Sequence, residues 1–316
     1  MAQSYVRVGG QWRPVVAKWA KVGDEWRLVQ NTWVRENGQW RLAHQNELEV
    51  VISEDMEEAN LRSLFEAEHG QPDELTRARF IIEEGVTITA SSASNPALRS
   101  GEWPFGVEPI VVNHARILGR GGNAGSAGSR NSESGGENGE NGGPGFQAEA
   151  VLHLDNRGLI AGGGGGGGGG GSAAAYTVVG LFDVRGGRAG GSGGGGGRPF
   201  GLGGEGVLAP DFEDLVSRQT TRHGLDGNDA SLEDEGLGGE GQTASRSGAT
   251  AESGGSGHGG DLGESGQSAP GGQASGGSWS DFTSPGGSGG QAGPAIVGDS
   301  FIIYENEGDL RGPRNP

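Results

Sequence analysis

Histidine and acidic side chains are the residues of this sequence that could perform catalysis or hold a metal ion. The 316-residue chain contains 41 acidic residues and six histidines, but no cysteine. The absence of cysteine excludes disulfide bonds and thiolate metal sites. The histidines follow neither the HxxxH nor the HExxH spacing that brings two imidazoles to one metal ion. A GxxxxGK motif followed by Ser or Thr is also missing, so we expect no metal and no cofactor.

Several acidic residues lie close enough in sequence to form a pair of catalytic carboxylates. Examples are Glu133 with Glu137 and Glu140, and Glu213 with Asp214. Glycosidases use two carboxylates, one of them as a general acid. Because the net charge is −18, we interpret these residues as solvated charges and expect no enzyme. A surface-polysaccharide-degrading enzyme stays an alternative, since such a pair has no local sequence signature.

The charge also limits the class of partner. A net charge of −18 argues against nucleic acid, which requires clustered Lys and Arg. No run of about 18 apolar residues could span a membrane, and the N-terminus lacks the features of a secretory signal. A protein of this kind that acts outside its cell of synthesis is expected to leave by lysis or within a particle.

An aromatic repeat, which must be positioned by local structure, occupies the N-terminal 1–45. Its two series recur every 14 residues: Trp12, Trp26 and Trp40, and Tyr5, Trp19 and Trp33. Turn-forming pairs such as Gly9-Gly10 separate the apolar runs, so each unit predicts a β-hairpin. We expect a small antiparallel meander with aromatic residues on one face and Arg or Lys on the other. The tryptophans are either its core or a docking surface for attachment to a larger assembly.

The next region, 46–118, predicts a small α+β adaptor. A β-type run, EVVIS, precedes a helical pattern in which Ser53 is a possible N-cap and Gly70 a stop. Further β-type runs follow up to residue 118. The C-terminal 298–316 is again β-type sequence. We expect it to pack back on the intervening region, 119–297.

That intervening region, 119–297, is dominated by glycine. Glycines recur at every third position in short runs, for example at 254, 257, 260 and 263, and ten of them are consecutive from Gly162 to Gly171. A polyproline-II-type helix has three residues per turn and no internal hydrogen bonds. Glycine on the contact faces would let several such helices pack and bond to one another. We therefore expect a bundle of polyglycine-II helices, with these scaffold residues: Gly162, Gly166, Gly171, Gly257, Gly260 and Gly263.

A flexible Gly/Ser linker is the alternative interpretation of the same composition. Two features oppose it. The segments NHARILG (113–119) and NRGLIAG (156–162) share the pattern Asn-x3-Ile-x-Gly just before a glycine run. The C-terminal β-type sequence also needs a folded partner. The overall fold class is therefore expected to be mostly β and irregular, with hairpin repeats, an adaptor and a glycine-helix bundle.

The ordered motifs over 86–313 resemble a known protein family. LHLDNRGLIAGGGGGGGGGG, VVNHARILGRGG and GGQAGPAIVGDSFIIYENEGDLRG are similar to the glycine-rich tip modules of bacteriophage tail fibres, among them the distal adhesins of T-even-like phages. The resemblance implies a polyglycine-II sandwich that presents receptor-binding loops. It also implies a virion location and binding to a host surface receptor, either an outer-membrane protein or a glycan.

Carried onto this chain, the receptor-binding loops are 172–185, 206–236 and 275–285. Aromatic side chains offer large contact areas, so the candidate contacts are these: Tyr176, Phe182, Phe212, Trp279 and Phe282. Each could instead plug the end of the bundle. The N-terminal tryptophans would attach the chain to other tail proteins, either as a single copy on a trimeric fibre or as a homotrimer. A purely structural tail component is the further alternative.

Overall fold

The N-terminal repeats form three separate β-hairpins in the computed structural model, which describes residues 5–15, 18–29, 31–36, 38–45, 47–128, 135–179, 183–209, 218–278 and 281–316. Their strands are β1 (Tyr5–Val8), β2 (Gln11–Pro14), β3 (Trp19–Val22), β4 (Glu25–Leu28), β5 (Asn31–Glu36) and β6 (Gln39–Gln45). The first turn uses Gly9 and Gly10 at φ 60° and 84°, a conformation that glycine adopts without strain. Each hairpin is a two-stranded sheet of its own, so the prediction of one continuous meander was wrong.

The faces of the hairpins also differ from the prediction. Arg7 lies directly opposite Trp12, Lys21 opposite Trp26, and Arg35 opposite Trp40. Directly opposite residues share a face, so one set of cations lies beside the indoles. A second set, such as Arg13, follows its tryptophan by one residue and lies on the other face. The five tryptophans are 43–68% exposed, and the interpretation that they form a core was therefore wrong.

Residues 48–315 contain a parallel β-solenoid of five coils, each contributing one strand to each of three sheets. The first sheet holds β7 (Leu48–Ile52), β10 (Ala78–Ile82), β13 (Ile110–Asn113), β16 (Leu152–Asn156) and β26 (Ile302–Asn306). The second holds β8 (Met56–Glu57), β11 (Thr87–Thr89), β14 (Arg116–Leu118), β17 (Leu159–Ala161) and β27 (Asp309–Arg311). The third holds β9 (Ala59–Asn60), β12 (Leu98–Arg99), β15 (Phe146–Gln147), β25 (Ile296–Val297) and β28 (Arg314–Asn315).

The solenoid replaces the predicted α+β adaptor. Its strands alternate buried and exposed residues, as in β7 and β10, and the inward side chains form one apolar core around Phe80, Ile117 and Leu154. The single α-helix among the described residues, α1 (Leu61–His69), starts later than predicted because Asn60, whose Oδ1 accepts the Ser63 N–H at 3.1 Å, is its cap. A short 3-10 helix at Asp299–Phe301 precedes β26. The C-terminal strands pair with the fourth coil as the last coil of the solenoid, and they also contact the glycine region, where the Arg311 carbonyl accepts the Gly162 N–H at 3.0 Å.

The Asn-x3-Ile-x-Gly motif marks one corner of the solenoid. Asn113 and Asn156 end adjacent strands of the first sheet and are fully buried. Asn113 Nδ2 donates to Asn156 Oδ1 at 2.8 Å, and Asn156 Nδ2 donates to the Glu307 carbonyl at 2.7 Å. The isoleucine of each motif, Ile117 or Ile160, is buried in the core. The final glycine is the point where the chain leaves the solenoid for the glycine bundle.

Two insertions into the solenoid supply the bundle, one in the third coil and one in the fourth. The described residues of both form ten extended glycine-rich segments. We number these segments I (119–128), II (135–145), III (162–171), IV (190–198), V (201–209), VI (223–230), VII (236–242), VIII (253–262), IX (263–272) and X (284–294). Within a segment, every third residue bonds to the same neighbour, as expected for a helix with three residues per turn.

Segment III, the decaglycine run, is enclosed on all sides. All ten of its N–H groups donate and all ten of its carbonyls accept hydrogen bonds of 2.7–3.3 Å, none of them within the segment. The Gly162 N–H reaches Arg311 of β27, and the remaining groups reach segments I, II, IV, VIII, IX and X. All ten residues are buried. A Cβ on any of them would lie 1.9–2.3 Å from a carbonyl oxygen of a neighbouring segment. The linker interpretation was therefore wrong.

Segment IV, whose glycines recur at 191, 194 and 197, is a second enclosed helix, and its enclosure was not predicted from the sequence. It bonds to segments I, III, V, VI, VII and VIII. Its one side chain before Arg198 is that of Ser192, which is fully buried and donates to the Glu240 carbonyl at 2.7 Å. The hydrogen bonds place the ten segments in three layers of three, four and three: II, I and V; X, III, IV and VI; IX, VIII and VII.

Side chains complete the hydrogen bonding of the outer segments. Asn138 and Asn141 of segment II accept the N–H groups of Ser288 and Gln291, both at 2.8 Å. Asp229 of segment VI accepts the Gly203 N–H at 2.7 Å. Residues with side-chain acceptors therefore occupy positions on the outside of the bundle, where no neighbouring segment offers a backbone carbonyl. This arrangement explains why Asn, Asp and Ser alternate with glycine in the outer layers.

An ionic junction ties the near end of the bundle to the solenoid. Arg198 Nη1 lies 2.7 Å from Asp261 Oδ1, and Arg198 Nε donates to the Leu232 carbonyl at 2.8 Å. Glu233, in the turn between segments VI and VII, lies 2.8 Å from Arg116 of β14. Three apolar side chains in or beside this junction are buried or partly buried together: Leu118, Leu232 and Leu262. The bundle is therefore held in a fixed position on the solenoid.

Enclosure predicts unequal losses for one substitution at two glycines. In Gly166→Ala the new Cβ would lie 2.0 Å from the Asn123 carbonyl oxygen, and backbone cannot yield as a flexible side chain does. We expect a loss of about 3 kcal/mol or more in the free energy of unfolding, measured by denaturant or thermal unfolding. In Gly255→Ala the nearest atom, Gly241 N, is 3.2 Å away, a contact that a shift of a few tenths of an ångström relieves, and we expect a clearly smaller loss. Equal losses would contradict the enclosed arrangement.

The ionic junction predicts a pH dependence. Burial raises the pKa of Asp261, but hydrogen bonds from the Leu262 N–H and from Arg198 lower it by more, so it lies below its usual value. A carboxyl with a lowered folded-state pKa contributes its full stabilisation above the unfolded pKa of about 4 and loses it as the pH falls toward the folded pKa. We expect Asp261→Asn to flatten the fall in thermal midpoint between about pH 5 and about pH 3. An unchanged slope would exclude this contribution.

Candidate functional site

The far end of the bundle is the place where its connections meet. Segments I and III leave the solenoid at residues 119 and 162, and segments II and X return to it before β15 and β25. The opposite end of each segment is therefore distal to the solenoid. The described connections at this distal end carry strands, whereas those at the near end are short turns such as 231–235.

Two small sheets, which we call the cap, cover the distal end. One has the order β20-β19-β18-β24, with β18 (Ala173–Val178), β19 (Val184–Ala189), β20 (Arg218–Arg222) and β24 (Asp281–Thr283). The other has the order β21-β22-β23, with β21 (Thr243–Arg246), β22 (Ala249–Glu252) and β23 (Gln273–Ser275). The two sheets lie against each other, since β18 and β19 are close to β21 and β22.

Small residues allow the two sheets of the cap to approach closely. Ala173, Ala189 and Ala251 form a buried cluster between them. At Gly187 a Cβ would lie 1.9 Å from the Ala244 carbonyl oxygen on the other sheet. The cap therefore continues the close backbone packing of the bundle and gives the distal surface a rigid base.

Tyr176 belongs to the interior of this cap. Its side chain is 1% exposed and lies over Gly186 on the paired strand, where an added Cβ would be 2.4 Å from Tyr176 Cδ1. Tyr176 was considered either as a receptor contact or as a plug that closes the end of the bundle. Its buried position is that of a plug. We therefore leave Tyr176 out of the surface proposed below to contact a receptor.

The other aromatic candidates are only partly described. Phe282 lies on β24 opposite Ala174 and is half-buried. Phe182, Phe212 and Trp279 lie outside the described residues. The parts of the predicted loops 172–185 and 275–285 that the structure describes do lie in the cap. The receptor-binding role of these aromatics stays a prediction.

The predicted loop 206–236 is not one loop. Residues 206–209 end segment V, β20 belongs to the cap, and 223–230 form segment VI, which runs back toward the solenoid. Glu233 then contacts Arg116 of the solenoid at 2.8 Å, so the turn that contains it lies at the near end. We therefore leave residues 231–236 out of the surface proposed below to contact a receptor. Segment VI has only two glycines at the three-residue spacing, Gly224 and Gly227, which is too short a run to mark it as a helix in the sequence.

A hairpin that the sequence analysis missed lies in the same cap. Strands β21 and β22 pair antiparallel, and the turn between them has Ser247 at φ 53° and Gly248 at φ 89°. Both values suit the tight turns that favour hairpins. The Ser-Gly pair between the alternating runs TAS and ATA was the available signal.

The described surface of the cap is polar with small apolar patches. Exposed residues include Val178 and Val179 at 44% and 38%, and these polar side chains: Gln219, Thr221, Arg222, Ser245, Ser247, Ser275, Ser278 and Thr283. Arg185 Nε donates to Asp183 Oδ2 at 2.8 Å, and this hydrogen bond raises the pKa of Arg185. Such a surface can form hydrogen bonds and modest apolar contacts without rearranging its base.

Two of the acidic residues considered as catalytic, Glu137 and Glu140, accept hydrogen bonds within the bundle. Glu140 Oε2 accepts from Asn123 Nδ2 at 2.9 Å, and Glu137 Oε2 accepts the Ser126 N–H at 3.3 Å. Glu133, Glu213 and Asp214 lie outside the described residues. Among the residues that are described, no cluster of three His, Cys, Asp or Glu could hold a metal ion. In the same part of the chain, no helix has the length and apolar character needed to cross a membrane.

Comparisons with known proteins agree with this geometry. A family model described as phage tail fibre adhesin Gp38 matches residues 47–315. The fold is similar to a chain of the gp37-gp38 adhesin tip complex of the bacteriophage S16 long tail fiber, with 23% identity and a TM-score of 0.51. That match covers 85% of this chain and 83% of the other. No curated protein sequence matches the chain. The hairpins at 5–45 precede the family match.

The position of Tyr176 predicts a structural effect when the ring is removed. Tyr176→Ala would leave a cavity in the cap, and we expect a loss of about 3 kcal/mol in the free energy of unfolding. Tyr176→Phe keeps the ring and serves as the control, with a smaller loss. Thermal unfolding and limited proteolysis of the cap measure both. If Tyr176→Ala unfolds like the unmodified chain but no longer binds host cells, the tyrosine is a receptor contact and not a plug.

Proposed function

Because the chain belongs to the phage tail fibre adhesin Gp38 family, we propose that it binds a host surface receptor through the cap at the distal end of its glycine bundle. The observation that carries this proposal is the position of the cap. It is the part of the bundle farthest from the solenoid, and it is built from the connections between segments. Connections on a rigid scaffold are common binding surfaces because little conformational freedom is lost on binding.

The receptor class follows from the surface chemistry of the cap. Exposed Ser, Thr and Gln side chains suit hydrogen bonding to a glycan or to the polar loops of an outer-membrane protein. Val178 and Val179 add an apolar contact beside them. We propose that the cap acts by binding alone and that the chain is not an enzyme. The acidic residues Glu137 and Glu140 support this, because both accept hydrogen bonds that stabilise the bundle.

The attachment end is proposed to be the hairpin array. The five tryptophans of the three hairpins are exposed, and they precede the first solenoid strand, away from the cap connections in sequence. Three hairpins with equivalent exposed residues favour a partner with three equivalent sites. We therefore propose one copy of this chain on the end of a trimeric tail fibre, in preference to a homotrimer of the chain itself.

Receptor binding by the cap predicts a matched pair of outcomes. Val178→Asp together with Val179→Asp places charge on the cap, and we expect binding to host bacteria to fall about tenfold or more. Val51→Asp together with Ile303→Asp makes the same change on the solenoid, at residues that are 47% and 42% exposed. Binding of the purified full chain to host cells, and its ability to block phage adsorption, measure both.

The control should bind as the unmodified chain does, provided that both variants keep their thermal midpoints. Equal loss in the two variants, or no loss in the cap variant, would count against the cap as the receptor surface. Release of reducing ends from host envelope glycans by the unmodified chain would contradict the non-enzymatic part of the proposal.

A further inference from the structure

Charge is distributed unevenly along this chain. Residues 1–45 hold seven basic and three acidic residues, a net charge of +4, although the whole chain has −18. Residues 46–316 hold 16 basic and 38 acidic residues, a net charge of −22. The hairpin array is therefore a basic module on a strongly acidic body.

The array also repeats one surface three times. We call the face that carries the opposed pairs Arg7 with Trp12, Lys21 with Trp26, and Arg35 with Trp40 the front face. All six of these residues are exposed, and the three indoles are 65–68% exposed. The same hydrogen bond occurs within the first hairpin and within the third. Arg7 Nε donates to the Gly10 carbonyl, and Arg35 Nε donates to the Gly38 carbonyl, both at 3.4 Å.

The pairing of a cation with an indole specifies the chemistry of a partner. Tryptophan and arginine are among the residues that most often dominate binding energy at interfaces, and such residues lie in well-packed, desolvated pockets. An exposed indole therefore fits an apolar pocket on a partner. A guanidinium or ammonium group beside that pocket is satisfied by a carboxylate at its rim. The repeat therefore fits three pockets of this kind.

We infer that the front faces bind three equivalent sites on the tail-fibre protein that carries this chain, each an apolar pocket with a carboxylate at its rim. The inference rests on the proposed attachment role of the hairpin array and adds the charge of its partner. An acidic partner also repels the body of the chain, which has a net charge of −22. Like-charge repulsion of this type excludes wrong orientations, so only the array docks and the cap faces outward.

The test compares charge reversal on the two faces of the hairpins. The front-face variant is Arg7→Glu with Arg35→Glu, and the back-face variant is Arg13→Glu with Arg41→Glu. Both change the net charge equally, and all four side chains are exposed. The probe is tail fibres isolated from the phage that encodes this chain and freed of it. With the full-length chain we expect the front-face variant to bind at least about tenfold more weakly and the back-face variant to stay within about twofold.

Salt gives an independent readout. Binding of the unmodified chain should weaken as NaCl rises from about 0.05 M to about 0.5 M, because exposed charges are screened. The front-face variant should lose most of this dependence. Equal binding by the two charge variants, or binding insensitive to salt, would overturn an acidic partner.

Two further measurements separate this inference from the attachment role. If Trp12→Ala, Trp26→Ala and Trp40→Ala together leave binding unchanged, the proposed attachment itself fails. If they abolish binding while both charge variants bind alike, only the acidic partner is excluded. Sedimentation of the chain alone tests the other acidic surface available, the body of a second copy. Oligomers at low salt that the front-face variant abolishes would assign the array to self-association instead.

Discussion

Every N–H and C=O group of a backbone without side chains must find a partner, and this requirement organises the structure. A helix with three residues per turn cannot satisfy these groups itself. Segment III therefore needs neighbours on all sides, and its twenty backbone groups are bonded by six other segments and by Arg311 of the solenoid. Glycine is required throughout segment III because the carbonyl oxygens of neighbouring segments leave no room for a Cβ. The bundle is stable only as a complete set.

The rest of the architecture follows from where the glycine segments of the bundle leave the solenoid and where they return to it. The parallel solenoid supplies two exits at one corner, after β14 and β17, and two returns before β15 and β25. Hydrogen bonds of Asn113 and Asn156 fix the preceding corner, between the first and second sheets, and Arg198 fixes the near end of the bundle. The distal connections are thus presented at a defined distance and orientation. A rigid receptor-binding surface binds more tightly than a flexible one with the same contacts, because it loses little conformational entropy on binding.

Much of this could be predicted from the residues. Glycine at every third position predicts a helix with three residues per turn, and ten consecutive glycines predict enclosure, since each face then lacks a side chain. The Asn-x3-Ile-x-Gly motif indicated the transition into the bundle, and a third copy with leucine in place of isoleucine, Asn306 to Gly312, closes the last coil. The resemblance to phage tail-fibre adhesins was confirmed by the family match over residues 47–315.

Other features could not be predicted, for physical reasons. Strands of two or three residues, such as β8 and β9, are too short to show a period, so the solenoid was interpreted as an α+β adaptor. The three-residue glycine spacing of segment IV, at 191, 194 and 197, is visible in the sequence, but its enclosure is not, because Ser192 adds a side chain whose hydroxyl takes the place of a backbone partner. Burial of Tyr176 depends on the glycine opposite it across two strands. The aromatic composition of a loop does not reveal such a pairing.

Amide hydrogen exchange, resolved to single segments by mass spectrometry or NMR, tests the central claim most directly. If segment III is enclosed and hydrogen-bonded at every residue, its amides will exchange more slowly than those of the outer segments II and VI and open only with global unfolding. Its exchange would then be among the slowest in the chain. Rapid exchange throughout residues 162–171, at the rate of an unstructured glycine peptide, would contradict the account.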